Sequence, residues 1–351
     1  MATEPSWMDD IEREVASFQS AMSPLAKILS RLTNRSIDSL TADIEGMMER
    51  GRYRDVPAAV FLNGQADSGT LKRLTDLIGR VPDKMRPKLW KAVSEQIARH
   101  RMTNRSAIRT LAKLNVYSVL DDVLDSTARI LETTARNGYL RGTFILQKEA
   151  GAAWTTDGML QGRTQIVVDS LYKLSDAKRF MDPVADMSSK VVIDAMLRGL
   201  PPDDVAETVD DVKGAMVYRS KREARTTLTA ASQAGHHEAY VAHGVKQYRF
   251  VATYDERTCE LCGMMDRKRF PVHSAKEGYN YPPLHPNCRC TTMAVMSKEV
   301  EDLMAPRFVK DRTTGETHKV SWDYTYAEWY RTYGPGRTDG LEYTPKKRSG
   351  R

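Results

Sequence analysis

Cysteine is nearly missing from this chain: four residues in 351, and none before position 259. So sparse a supply excludes a disulfide scaffold, whose small domains are dense in cysteine. Long apolar runs are missing as well. Nothing approaches the ~18 consecutive apolar residues that read as a membrane-spanning helix. The opening stretch MATEPSWMDDIEREV is acidic and amphipathic, whereas a secretory signal is basic and then apolar. Aromatic residues make up only 8% of the chain. What these absences leave is the expectation of a soluble, intracellular protein. Its length suits two domains and a substantial core.

Charge is present in both signs but unevenly placed. The 53 Lys and Arg against 46 Asp and Glu give a net charge of +7. Residues 1–50 hold 5 basic and 9 acidic side chains, while residues 51–110 hold 13 basic and 5 acidic. In that basic block Arg105, Arg109 and Lys113 recur every four residues, so on a helix they share one face. Lys84, Lys88 and Lys91 make a second candidate face, and Lys346, Lys347 and Arg348 form a basic tail. Such faces are ordinarily the solvated side of an amphipathic helix. The functional alternative is contact with nucleic acid or an acidic partner surface. Trp90 stands alone there, so no ladder of aromatics offers single-stranded bases a stacking platform.

The apolar spacing predicts a mainly helical chain as far as residue 244. Trp7, Ile11, Val15, Phe18, Met22, Leu25 and Leu29 recur at three and four. A second helix is expected from Ser36 to Met48, then a loop or arm over 53–68, helices over 68–78 and 85–101, and a longer one capped by Asn104 and reaching Ile130. Asn137-Gly138 reads as a turn, and 150–162 as a connection. Residues 163–180 are amphipathic, and Asp182-Pro183 reads as a cap with a first-turn proline. The next helix starts at Pro201-Pro202 and gives out near Gly214. Another covers 218–243, with small residues at Ala224, Thr227, Ala231 and Ala234 for close packing and Gly244 as its C-cap. After Lys246 the period changes to two: KQYRFVATY reads as a strand, and CRCTTMAVM as a second. The fold class is therefore mainly α, with a small α+β module.

All four cysteines lie in that module. Cys259 and Cys262 form a C-x-x-C knuckle, and His285, Cys288 and Cys290 follow after a 22-residue insert. Two residues between ligands let one tight turn aim both at one point, and His285 to Cys288 has the same spacing. Four nitrogen and sulfur ligands converging on a tetrahedral centre are what a structural Zn²⁺ requires. Five candidates compete for four places. The set is either Cys259, Cys262, His285 and Cys288, or the four cysteines with His285 outside. His273 is a distant sixth. Reduced, metal-free thiols or two disulfides are the competing readings, and the expected reducing compartment disfavours the latter. Asp255, Glu256 and Glu260 read as surface turn residues rather than as an acid/base beside an open metal.

Two enzyme patterns fail. His237-Glu238 begins like a zincin helix, but position 241 is Val241 and His243 lies on another face; exposed or capping roles suit these histidines better. A one-metal nuclease of the H-N-H type needs a histidine base and a second metal-site residue, which the chain does not place. The expectation is no enzyme.

The run from Arg225 to Cys290 resembles the phage Mu F-like / SPP1-type minor head (head morphogenesis) protein family. The resemblance rests on ARTTLTAASQAG, then HGVKQYRFVATYDERTCELC, then PPLHPNCRC, and it covers roughly residues 165–335. YTYAEWYRTYG is similar to the family's later segment, with Thr325 and Glu328 forming a capping box. Two departures stand out: Thr227 where the family often has an acidic residue, and Met265 to Phe270 without the usual glycine. Periodicity gives a helical region over 1–160, and the resemblance implies a head-protein domain over 161–297 with its Cys/His module at 246–297, followed by an extension over 298–351. That extension is too short for the toxin domain some relatives carry. It further implies a minor capsid protein of a tailed phage, located in the virion head or at the portal vertex and in the host cytoplasm during assembly. Its partners would be portal protein, major capsid protein and, non-specifically, double-stranded DNA, with no membrane. A zinc-stapled nucleic-acid-binding protein is the alternative.

Overall fold

The computed structural model describes residues 7–150, 174–255, 257–296, 307–311, 314–321 and 323–333. The expected connection at 151–162, the start of the amphipathic stretch at 163–173, Glu256 and the tail bearing Lys346, Lys347 and Arg348 lie outside the described residues. The chain is mostly helical with a small antiparallel sheet, as its periodicity predicts. It divides into two compact units: Met22–Arg129 with Tyr172–Ala224, and Met1–Ala21 with Ile130–Leu171 and Arg225–Arg351.

The first of these is helical. It takes most of α1 (Trp7–Arg50), then α2 (Ala58–Asn63), α3 (Ser68–Ile78), α4 (Arg86–Ala98), α5 (Asn104–Tyr117), the start of α6 (Leu120–Ala150), α7 (Leu174–Leu197) and the start of α8 (Pro202–Ala242). Leu25, Leu29, Leu40, Ile44 and Met47 make the buried stripe of α1, and α5 packs on α3 and α7.

Several expected boundaries differ. α1 is one helix rather than two, because Thr33 and Ser36 bond back to Leu29 O and Thr33 O instead of capping a new start. A short helix, α2, occupies the expected loop at 53–68. Thr103, not Asn104, caps α5, accepting from Ser106 N at 3.2 Å. Asn104 is buried, with Nδ2 on Phe61 O at 2.9 Å. α5 stops at Tyr117 instead of running to Ile130. Asp182 caps nothing; it accepts from the Tyr117 hydroxyl while α7 runs through Pro183. α8 also runs unbroken through Gly214.

The second unit holds the end of α6 and of α8, two sheets and a terminal helix. α6 passes straight through Asn137-Gly138, where a turn is expected, because its glycine has another use. A Cβ on Gly138 would lie 2.2 Å from Ser232 O, and one on Gly235 would lie 2.1 Å from Ala135 O. The two helix backbones touch at these glycines, which allow the close approach. Beyond Gly244, at φ +68°, β1 (Gln247–Val251) is flanked by β2 (Arg269–Pro271) and β3 (Thr291–Ala294), both antiparallel to it. β4 (Arg307–Lys310) and β5 (Thr317–Val320) make a separate hairpin. Two short helices, α9 (Glu260–Met265) and α10 (Tyr326–Tyr333), complete the unit. No helix among the described residues is long and apolar enough to cross a membrane.

Candidate metal centre

The ligand-bearing segments flank the sheet. After β1 the chain enters α9 with Cys259 as its N-cap. The Cys259 sulfur accepts from Cys262 N at 3.5 Å, which closes the knuckle. The second segment turns at Asn287, held at φ +67°. Cys288 N donates to His285 O at 3.1 Å. α8 braces this turn: Asn287 N donates to Thr226 Oγ1 at 2.8 Å, and Thr229 Oγ1 donates to Cys288 O at 3.1 Å. Cys288 and Cys290 do not lie on a strand face as the sequence predicts. Both precede β3, which starts at Thr291, so turn geometry aims them.

The five candidates converge. His285 Nε2 lies 3.1 Å from Cys259 Sγ and 3.2 Å from Cys262 Sγ, and Cys262 Sγ lies 3.8 Å from Cys288 Sγ. Cys259, Cys262 and His285 form one group with ligand atoms within 4.8 Å of one another, and Cys262, Cys288 and Cys290 form another. Cys262 belongs to both. Two thiolates at ~2.3 Å from a tetrahedral ion stand about 3.8 Å apart, so the Cys262–Cys288 separation already fits a shared soft metal. His273 is exposed and belongs to neither group. All four cysteines are free thiols in this structure.

The electrostatics also ask for a cation. Contact with Cys262, opposed by burial and aided by His285, pulls the Cys259 thiol down to about 4. Contacts with Cys262 and Cys290 pull Cys288 down as well. Cys262 is pushed far up by Cys259, Cys288, Cys290 and burial. For Cys290 the contact with Cys262 favours the thiolate, but Cys288 and burial outweigh it and the pKa rises. His285 is lifted to about 9, chiefly by Cys259. Crowded thiolates cannot all ionise by themselves. A bound cation removes that conflict and lets every ligand deprotonate.

A buried cluster encloses the site, comprising Phe250, Ala252, Tyr254, Cys262, Leu284, Cys288, Cys290, Val309, Tyr326 and Trp329. Three features of this shell escape a motif search. Gly263 follows the knuckle because a Cβ there would meet the Tyr326 ring at 2.3 Å. Asp266 accepts from Ala252 N, the Tyr254 hydroxyl and Tyr326 N, so it ties the β1 exit to α10. Asp255 is not a surface turn residue: it is half-buried in a two-pronged pair with Arg289. Burial opposes its charge, but Arg289 outweighs that and holds the carboxyl low. The capping box of α10 is present as expected. Thr325 N and Oγ1 donate to Glu328 Oε2 at 2.6 and 2.7 Å, and Glu328 N donates back to Thr325 Oγ1 at 3.2 Å.

The histidines of α8 differ from expectation. His236 is buried against Gln233, with burial, reinforced by Arg141, pulling its pKa to about 3. His237 Nε2 is 3.3 Å from Val272 O, and His243 Nε2 is 3.3 Å from Thr143 Oγ1. None joins a metal group.

The basic faces lie in the other unit. Lys88 and Lys91 are exposed on α4, whereas Lys84 sits ahead of that helix. On α5, Arg109 and Lys113 are exposed and Arg105 is half-buried. Lys113 is engaged, 3.9 Å from Asp182 Oδ1 and 5.8 Å from the Tyr117 ring centroid.

No curated protein and no solved structure matches the chain. One family model does, over residues 188–293, a stretch that starts inside α7, takes in all of α8 and the Cys/His segments, and ends in β3. That stretch, with its knuckle, braced turn and three-stranded sheet, is similar to the family described as Phage Mu protein F like protein.

Proposed function

We propose that this protein is a structural component of a tailed-phage head, a minor capsid protein acting in head morphogenesis beside the portal or the inner capsid surface. The observation that carries this reading is the family match over 188–293, which takes in the Cys/His segments and the three-stranded sheet. The protein works by assembly rather than turnover. Its place is the virion, reached from the host cytoplasm, and its partners are the portal protein and the major capsid protein. Long helices supply extended contact faces, and the Cys/His module supplies a rigid fixture.

That fixture holds one structural Zn²⁺. Sulfur and imidazole donors favour this ion, and four protein ligands leave no open position for a reacting water. Cys259, Cys262, His285, Cys288 and Cys290 are its candidate ligands. When bound, the ion supplies neutralising charge and cross-links the two ligand segments.

Two experiments decide the matter. Purified virions analysed for protein content should contain this chain, and the isolated protein should bind an assembled portal ring or capsid shell. Failure of both refutes the head-protein reading. Metal analysis of protein prepared under reducing conditions should give about one zinc per chain. Exposed Lys88, Lys91 and Arg109 support a second reading, non-specific contact with packaged double-stranded DNA, which should weaken steeply as salt rises.

A further inference from the structure

Three arginines surround one carboxylate beside the metal ligands. Arg289 spends its guanidinium on Asp255, and Thr253 Oγ1 donates to Arg289 O at 2.9 Å. Arg257 stands on the same turn as Asp255, its backbone N donating to Asp255 Oδ1 at 2.9 Å, while its side chain is exposed. Arg225 precedes Thr226, the residue whose hydroxyl holds the 287 turn. α8 at 225–229, the 253–258 turn and the 287–290 turn are therefore pinned together, and each brings one guanidinium.

The balance of charge there is uneven. Arg225 is half-buried, and after burial itself the crowding by Arg289 and Arg257 depresses its pKa, with only Asp255 opposing them. Neither Arg225 nor Arg257 has a side-chain hydrogen-bond or ion-pair partner among the described residues, which leave out the neighbouring Glu256, while Asp255 is taken by Arg289. Among the described residues, two guanidiniums stand close to a third with no anion of their own, a setting that favours an added anion.

We infer that Arg225 and Arg257, backed by the Asp255-held Arg289, form a binding site for backbone phosphate of double-stranded DNA. A guanidinium fork fits the non-bridging oxygens of a phosphodiester. A chain of net charge +7 draws a polyanion rather than an isolated carboxylate. The contact positions DNA without reading its bases, because phosphate carries no sequence information. The site deepens the head-protein reading by placing DNA against the metal module. Its failure is separable from the failure of that reading, because incorporation into virions tests the latter alone.

The test uses the full, metal-loaded chain and a duplex of random sequence, with binding followed by fluorescence anisotropy across a salt series. Each lost phosphate contact should flatten the slope of log K against log salt by about 0.9, which is roughly a ten-fold loss of affinity at 0.1 M salt. The variant R225A/R257A should therefore lose about a hundred-fold there, whereas R225K/R257K should keep the parent slope. Unchanged slope and affinity in the double-alanine variant overturn the proposal. So does a variant that loses binding to polyglutamate while its DNA binding is intact, which assigns the site to an acidic protein. If the double variant sheds its metal, R257A at its exposed turn carries the test: one contact's flattening supports the site, and none overturns it.

Discussion

Cys262 stands in both ligand groups, so it has no substitute. Cys262→Ser should abolish metal binding outright, as read by zinc content after desalting. His285 touches two sulfurs, whereas Cys290 is grouped with Cys262 and Cys288 alone. His285→Ala should therefore weaken zinc affinity more than Cys290→Ser, and competition with a chromophoric chelator ranks the two. His236 makes a different kind of prediction. It is buried and neutral with a pKa near 3, far below its ordinary value of 6.5. The unfolded chain takes up this proton first, so stability is complete above pH 6.5 and falls as pH drops toward 3. The loss is on the order of a few kcal/mol. Urea midpoints should fall across that window, and less so in His236→Gln. The ligand types were legible in the sequence because a metal needs scarce residues at fixed spacing. The role of Asp255 was not, since nothing local announces a partner 34 residues away.

At the scale of elements, glycine decides two contacts. Gly138 and Gly235 let α6 and α8 touch backbone to backbone, so Gly138→Ala must push the helices apart. Overpacking of this kind costs ~1–3 kcal/mol, and backbone contact puts it at the upper end; chemical denaturation measures it. Gly263→Ala meets the Tyr326 ring in the same way and should loosen α10 first, raising the exposure of Trp329 to a fluorescence quencher. The cap of that helix is weaker. Thr325→Ala should cost about 1 kcal/mol. Glu328 is held below its usual pKa by the Thr325 hydroxyl and then by Thr325 N. Its contribution is present above the ordinary carboxylate range and is lost as pH falls through the lowered value. Strand β1 and the capping box could be read in advance, since both are local patterns. The unbroken α1 and α8 could not: Ser36 and Gly214 carry the same signals at a helix end and inside a helix, and only packing tells the cases apart.

The metal module is a large part of one unit's core, because Cys262, Cys288 and Cys290 share a cluster with Tyr326 and Trp329. Chelation should therefore lower the unfolding temperature of that unit while the helical unit built on α3, α5 and α7 keeps its own transition; calorimetry with and without chelator separates the two. The interleaving of both units along the chain was invisible to a reading that cuts sequence into consecutive blocks. Periodicity reports which face of a helix is buried and not what buries it. A consequence concerns the order of events during synthesis. Chains emerge N-terminus first, so both ligand segments leave the ribosome before Tyr326 and Trp329 emerge to cover them. A metal ion taken by the cluster would enter in that interval, while the thiols are open to solvent. Once α10 has closed, exchange of such an ion should wait on its departure, and the folded chain would keep the metal it first took up.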